Sequence, residues 1–256
     1  MNWNCAHNAT RSTLTFLTLG LPLLVAGALL GRAAPAHAAE TDPWWFSAGA
    51  SLFMGGLSGD VTARGIPAEI DASFGDIVDN LEFGAAGRFT VGHDRWLLST
   101  EVSYMGLGAS TSAVDIDLDQ WLVEPSVGYK FSEMVEGFAG VRYNSIKGDV
   151  RFNGPLGNVA TGTHDWFDPI VGVQSSVPLV ERKLALDGRF DVGGFGVGSD
   201  LTWQAFPFLN WRFAKRGSAQ LGYRWLGTDY ENGSGSSKFV YDVVVQGPQI
   251  GFTVHF

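Results

Sequence analysis

Arg88, Glu101, Glu124, Glu136, Arg142, Asp168, Asp187, Arg189 and Arg224 lie in segments that alternate large apolar residues with small or polar ones, each out of phase with the apolar set. An extended backbone sends successive side chains to opposite faces, so these charges share one face, together with Glu82, Asp191 and Arg212. Their chemistry depends on the space they line. In a narrow interior both signs must pair crosswise, because an isolated charge is costly to desolvate. In a wide, wet interior the same groups would set ion selectivity. A closed sheet of about ten strands favours the first reading, since eight strands are already filled by side chains. A narrow, porin-like passive channel is the alternative.

Catalysis needs a base within reach of a nucleophile or an activated water. After the first 38 residues the chain offers His93, His164 and His255. His164, beside Asp165 and near Asp168, is the histidine expected near the outer mouth. The motifs of barrel proteases and of lipid A-modifying barrels are absent, so no catalytic residue is expected and a surface enzyme is the third reading. Asp115, Asp117 and Asp119 alternate along one extended face, with consecutive carboxylates about 7 Å apart. One calcium ion needs six to eight oxygens at about 2.4 Å, which this row does not supply, so it reads as a solvated acidic rim and no metal is expected. No cofactor is expected either: the glycines at 193–198 are followed by no helix that would cradle a phosphate.

Ten alternating segments would carry these residues: about 44 to 58, 81 to 91, 96 to 107, 116 to 131, 135 to 151, 163 to 177, 183 to 194, 201 to 213, 218 to 228 and 239 to 256. The fold class is all-β, a transmembrane antiparallel barrel of about ten strands, within a range of eight to twelve. The last segment, Gln249 to Phe256, puts Ile250, Phe252, Val254 and Phe256 on one face and ends on an aromatic, as the final strand of an outer-membrane barrel does. Units around Pro125, Pro169, Pro207 and Pro248 recur at roughly 40 residues, the length of one up-and-down hairpin. Proline removes a ladder donor, so bulges are expected there. Tight periplasmic turns are expected at 93–95, 132–134, 180–182 and 215–217, and longer outer connections at 59–80, 108–115, 152–162 and 229–238. Within 59–80, a rim or plug-like connection, two short strands would flank a Gly65-Ile66-Pro67 turn, followed by a helical turn from Ser73.

The chain begins like a cleaved secretory signal. Arg11 precedes an uncharged apolar run from Leu14 to Leu30, and Ala36-His37-Ala38 has the small-x-small form of a cleavage site. This predicts a signal peptide over 1–38 and a barrel over 39–256. The one cysteine, Cys5, would leave with the signal, so no disulfide is expected. Residues 1–38 hold two of the 17 basic residues and none of the 26 acidic ones, leaving 15 against 26 and a charge of −11. A chain that acidic is not expected to bind nucleic acid. Its expected setting is the Gram-negative outer membrane, with lipid and lipopolysaccharide around it.

The segments Glu69 to Gly108, Asp168 to Gly172, Gly188 to Gln204, Gly222 to Leu226 and Gly247 onward resemble a family of proteobacterial outer-membrane β-barrel proteins. The run Gly193-Gly194-Phe195-Gly196-Val197-Gly198-Ser199-Asp200-Leu201-Thr202-Trp203-Gln204 is its most specific part. The resemblance implies a membrane barrel over nearly all of the chain after residue 38, and brings no catalytic residues. By likeness to such proteins, Phe256 is the terminal aromatic read by the barrel-assembly machinery. Within the run, the glycines would permit a tight reversal, tied by Ser199 and Asp200.

Overall fold

The computed structural model describes residues 43–63, 66–72, 84–110, 114–152, 159–181 and 183–256. The expected signal and the helical turn from Ser73 lie outside the described residues. Within them, twelve strands follow in chain order: β1 (Trp45–Phe53), β2 (Gly56–Ala63), β3 (Ile66–Ala72), β4 (Gly84–His93), β5 (Trp96–Ser110), β6 (Val114–Lys130), β7 (Val135–Phe152), β8 (Val159–Val180), β9 (Leu184–Gly194), β10 (Leu201–Arg212), β11 (Gly217–Asn232) and β12 (Phe239–His255). All pairings are antiparallel. β1 and β4 to β12 form a ring of neighbours that β1 and β12 close, from Ser47 opposite His255 to Phe53 opposite Gln249. This is a closed ten-stranded barrel. Closure satisfies the backbone groups that an open edge would leave bare in lipid.

β2 continues β1 past Met54 and Gly55 and pairs with the outer half of β12 in unchanged register, while β3 pairs back onto β2. Ile66 and Pro67 belong to β3 rather than to a turn. Residues 56–72 therefore raise the wall at the outer rim.

The expected proline bulges do not form. Val123 opposite Tyr143 and Ser126 opposite Gly140 keep one register across Pro125, and Ala205 opposite Trp225 and Phe208 opposite Gly222 keep one across Pro207. β12 likewise runs through Pro248 without a slip. A missing donor costs one rung of a long ladder, and an inserted residue is not needed to absorb it. Among the described residues, the one register shift lies between Pro178 and Val180, at the periplasmic end of β8.

The wall has uneven height. β7 and β8 stay paired up to Arg151 and Val159, whereas β9 leaves β8 at Gly193 opposite Ile170. Above that step Trp166 of β8 stacks on Tyr230 of β11 at 3.9 Å between ring centroids, joining strands that are not neighbours in the sheet.

Outside, two aromatic belts mark the interfaces. Tyr104–Trp121, Tyr143–Phe167 and Tyr223–Trp225 pairs lie toward the outer rim, and Trp96–Tyr129, Tyr129–Phe131, Trp211–Phe213 and Phe213–Phe252 toward the periplasmic turns. Between them Val102, Val141, Val171, Phe190 and Leu209 are exposed on the outer face. In water such a surface would be an aggregation liability; here it is the lipid contact.

Candidate functional site

The inward positions of each strand change character in a fixed order from outer rim to periplasm. On β7 the order is Ile146, Asn144, Arg142, Gly140, Phe138 and Glu136; on β6 it is Leu118, Gln120, Leu122 and Glu124; on β12 it is Tyr241, Val243, Val245 and then Gln249. Antiparallel pairing puts like positions at like heights, and the lumen becomes a stack of layers.

The outermost layer is apolar, which the alternation of charges did not predict. Leu57, Leu118, Ile146, Trp166, Tyr241 and Val243 are among fourteen buried residues that form one hydrophobic cluster in the outer half of the barrel. Beneath it runs a chain of hydrogen bonds. The Tyr241 hydroxyl donates to Gln120 at 3.1 Å, the Gln120 amide to Asn144 at 3.4 Å, and the Asn144 amide to Asp168 at 3.2 Å. Asp168 also accepts Trp166 Nε1 at 2.9 Å and the backbone N–H of Ser199 at 2.7 Å.

The next layer holds the charges. Arg142 has no exposed surface. Its Nε donates to Glu124 Oε1 at 2.6 Å, its Nη2 to Asp191 Oδ1 at 2.7 Å and its Nη1 to the Thr202 hydroxyl at 2.8 Å. Arg189 answers from the other side, with Nη2 on Glu124 Oε2 at 2.7 Å and Nε on Asp191 Oδ2 at 2.9 Å. Two guanidinium groups thus grip the same two carboxylates, and every carboxylate oxygen is engaged. Such charge-assisted forks are the strong form of the interaction and fix geometry as well as energy. Arg189 also covers the Phe138 ring at 4.9 Å and reaches Glu101 at 3.6 Å. Glu101 in turn accepts Arg224 at 3.0 Å and lies 3.7 Å from Arg88.

The structure thus brings Arg88, Glu101, Glu124, Arg142, Arg189 and Arg224 together. It separates three residues of the expected set from the arginines. Asp168 sits in the amide layer. Asp187 is held by the Ser176 hydroxyl at 2.6 Å and the Asn210 amide at 2.7 Å. Glu136 accepts the Gln174 amide at 3.5 Å. Asp187 and Glu136 stand near the periplasmic mouth, where hydroxyl and amide side chains lie nearer to them than any guanidinium group. Asp191, counted among the inward charges but not among the pairing ones, is central. Thr202 and Gln204, which binds Arg224 at 2.6 Å, went unrecognised as partners. Both belong to the Gly193–Gln204 run, and their in-phase spacing after the loop was the available signal.

In that loop Gly194 and Gly196 have φ of 87° and 73°, and Phe195 also takes a positive φ of 52°. Gly196 N–H donates to the Ser199 carbonyl at 3.0 Å and Asp200 N–H to that of Asp229 at 2.9 Å. The tie runs through backbone: the Ser199 hydroxyl has no partner among the described residues.

Among the described residues, no catalytic pairing is assembled at the histidines. His164 points inward and stacks on Phe239 at 3.7 Å, while Asp165 faces out and accepts the Tyr143 hydroxyl at 3.2 Å. His93 stacks on Trp44 and His255 contacts the Ser218 hydroxyl, both near periplasmic turns. Asp119 is taken up by the Tyr104 hydroxyl at 2.6 Å.

Neither a family model nor a curated protein sequence matches the chain. Among solved structures it is similar to the outer membrane protease OmpT from Escherichia coli, at 8% identity over 86% of this chain and 99% of that one, with a TM-score of 0.55. It is also similar to a major outer membrane protein from Thermus thermophilus (15% identity, 83% and 99% covered, TM-score 0.43) and to Ail, the attachment invasion locus protein of Yersinia pestis (10%, 82% and 98%, 0.42). The likeness to OmpT speaks for the fold alone. A closed antiparallel barrel with a lipid-facing apolar band is the structure of the bacterial outer membrane, and the protein is an integral outer-membrane β-barrel.

Proposed function

We propose that this protein is a non-conducting outer-membrane barrel with a structural or surface-interaction role, its lumen closed by ion pairs and its acidic loops presented outward. The observation that carries the reading is Arg142: fully buried at mid-lumen, with Nε, Nη1 and Nη2 each bonded. An open pore needs water at that height. The apolar cluster above it supports the same reading. In this reading the chain groups with the proteobacterial outer-membrane barrels that its Gly193–Gln204 run resembles, residues 1–38 are removed on export, lipopolysaccharide surrounds the outer rim, and Phe256 is the assembly signal. No catalytic role is assigned, because His164 and Asp165 point to opposite faces of β8.

Planar-bilayer recordings on refolded residues 39–256 test it. The expected result is an absence of steady conductance steps from wild type. Steady, ion-selective steps would replace this reading with the narrow passive channel, and turnover of lipid A or peptides in a hydrolase screen would replace it with a surface enzyme.

A further inference from the structure

On the periplasmic side of the buried charges the lumen opens into a cavity of about 70 Å³, lined by Arg88, Glu101, Arg189, Arg224, Gln204 and Gln249 among others. It shares Gln174 and Phe208 with a recess of about 290 Å³ at the periplasmic rim. Inward of it, Arg189 of the lining shares Glu124 with the fully buried Arg142. The protein therefore carries a blind vestibule that faces the periplasm.

At ion-pair distance its charges are unbalanced; Glu136, toward the periplasmic rim, acts on Arg88 and Arg189 only from farther off. Ion pairs link Arg88, Arg142, Arg189 and Arg224 to Glu101, Glu124 and Asp191, four cations to three carboxylates. Glu124 and Asp191 are saturated by Arg142 and Arg189, so the deficit falls on Glu101, which is shared among Arg88, Arg189 and Arg224. Arg88 holds the loosest link, 3.7 Å, and its side chain is 30% exposed. Two further polar atoms are left over at this cavity. Arg224 Nε and Gln249 Oε1 are buried with no hydrogen-bond partner among the described residues, and each belongs to a residue less than 10% exposed. A buried orphan donor beside a cation surplus is costly unless something occupies the space.

We propose that the vestibule binds a small oxyanion of the hydrogen phosphate type. Its oxygens accept from Arg88 and from Arg224 Nε, neutralise the surplus charge, and its hydroxyl donates to Gln249 Oε1. Acetate, with no hydroxyl, fits less well; chloride satisfies neither the spread of donors nor the acceptor. The volume suits one anion of a few heavy atoms, since a single water needs about 10–15 Å³ of such space.

The test uses refolded residues 39–256 in detergent, with thermal unfolding followed at pH 7 and constant ionic strength as sodium chloride is replaced by phosphate, acetate or sulfate. Phosphate is expected to raise the unfolding midpoint saturably over a millimolar range; acetate and sulfate, which bring no hydroxyl at that pH, raise it by less. Arg88→Gln, at a part-exposed position, should stay folded and lose the response, with binding at least tenfold weaker by phosphorus NMR line broadening. Gln249→Glu places a tethered carboxylate beside Arg224; it should raise the midpoint in phosphate-free buffer and abolish the phosphate response. Three results would overturn the proposal. They are no phosphate-specific shift in wild type, which leaves water alone in the cavity, an equal shift in Arg88→Gln, which marks general salting-out, or an undiminished response in Gln249→Glu.

Discussion

Arg142 on β7 and Asp191 on β9 meet at 2.7 Å across the intervening strand β8, and neither is touched by solvent. Gly172 of β8 leaves room for Asp191 there: a Cβ would lie 2.7 Å from Asp191 Cβ and 2.5 Å from the Phe138 ring. Removing one partner of such a pair leaves a buried charge uncompensated, which costs about 3–5 kcal/mol. Arg142→Gln is expected to lose stability in that range in urea unfolding, and Asp191→Asn likewise. Because Arg189 grips the same carboxylates, the Arg142→Gln/Asp191→Asn double variant should lose less than the sum, with a coupling of about 0.5–3 kcal/mol. A loss below about 1 kcal/mol in either single variant would mean a wet lumen, where charge pairs are worth little.

The wall was legible in the sequence because lipid on one side and lumen on the other impose a strict period of two. The parity of Trp121, Val141, Val171 and Trp211 alone places them outside, and all four are exposed there. The outer half of the lumen was not legible. On β12 the stretch Phe239 to Val245 is apolar on nearly every residue, so alternation carries no signal, and only closure shows that its odd-numbered members fill the interior. Partner choice was illegible for a related reason: parity places Asp187 and Asp191 alike inside, but the height of each in the barrel, set by register, gives one Asn210 and the other two arginines.

Facing is tested by arginine. At Val141, 40% exposed on the lipid side, Val141→Arg should cost about 2–4 kcal/mol in lipid vesicles if the site lies near the midplane. Gln174→Arg, which projects into the periplasmic recess beside Glu136, should cost less. Gly140 offers no such control, since a Cβ there would lie 2.4 Å from the Pro125 carbonyl oxygen. Equal costs at 141 and 174 would contradict the facing of β7 and β8.

Phe256 closes the chain on the lipid side, 65% exposed, with its backbone N–H on the Phe46 carbonyl at 2.8 Å. Deleting it removes one rung at the barrel seam, a small loss for the fold. If Phe256 is the assembly signal, the deletion should still lower the outer-membrane yield of heat-modifiable protein severalfold while export continues. Normal yield would count against that role.

The outer rim gathers negative charge beyond the belts. Burial, followed by the neighbouring Asp242, Asp200 and Glu231, raises the Asp229 carboxyl above its ordinary value of 3.8. A raised acid is stabilising when protonated: its contribution is complete below the ordinary value and is lost as pH rises through the raised one. Asp229→Asn should therefore raise the unfolding midpoint at pH 7, and the gain should shrink toward zero as the medium is acidified to about pH 3. A lower midpoint at pH 7 would show that the ionised carboxylate is needed there.

Asp168 and Ser199 tie the short β9–β10 loop to β8 at 2.7 Å, and the tie uses the Ser199 amide rather than its hydroxyl. Asp168 also receives Asn144 and Trp166, so Asp168→Ala orphans three buried donors, at about 1–3 kcal/mol for each that finds no water. Asp168→Asn keeps one acceptor oxygen and should fall between that variant and wild type. Ser199→Ala removes a group with no partner among the described residues and leaves the donor in place, so its cost should stay under about 1 kcal/mol. Amide hydrogen exchange locates the effect. The Ser199 N–H should exchange faster in Asp168→Ala and unchanged in Ser199→Ala, while the Arg142 layer below stays protected. If Ser199→Ala proved as damaging as Asp168→Ala, the hydroxyl would be what holds the loop, and the hydrogen-bond assignment at Asp168 would fail.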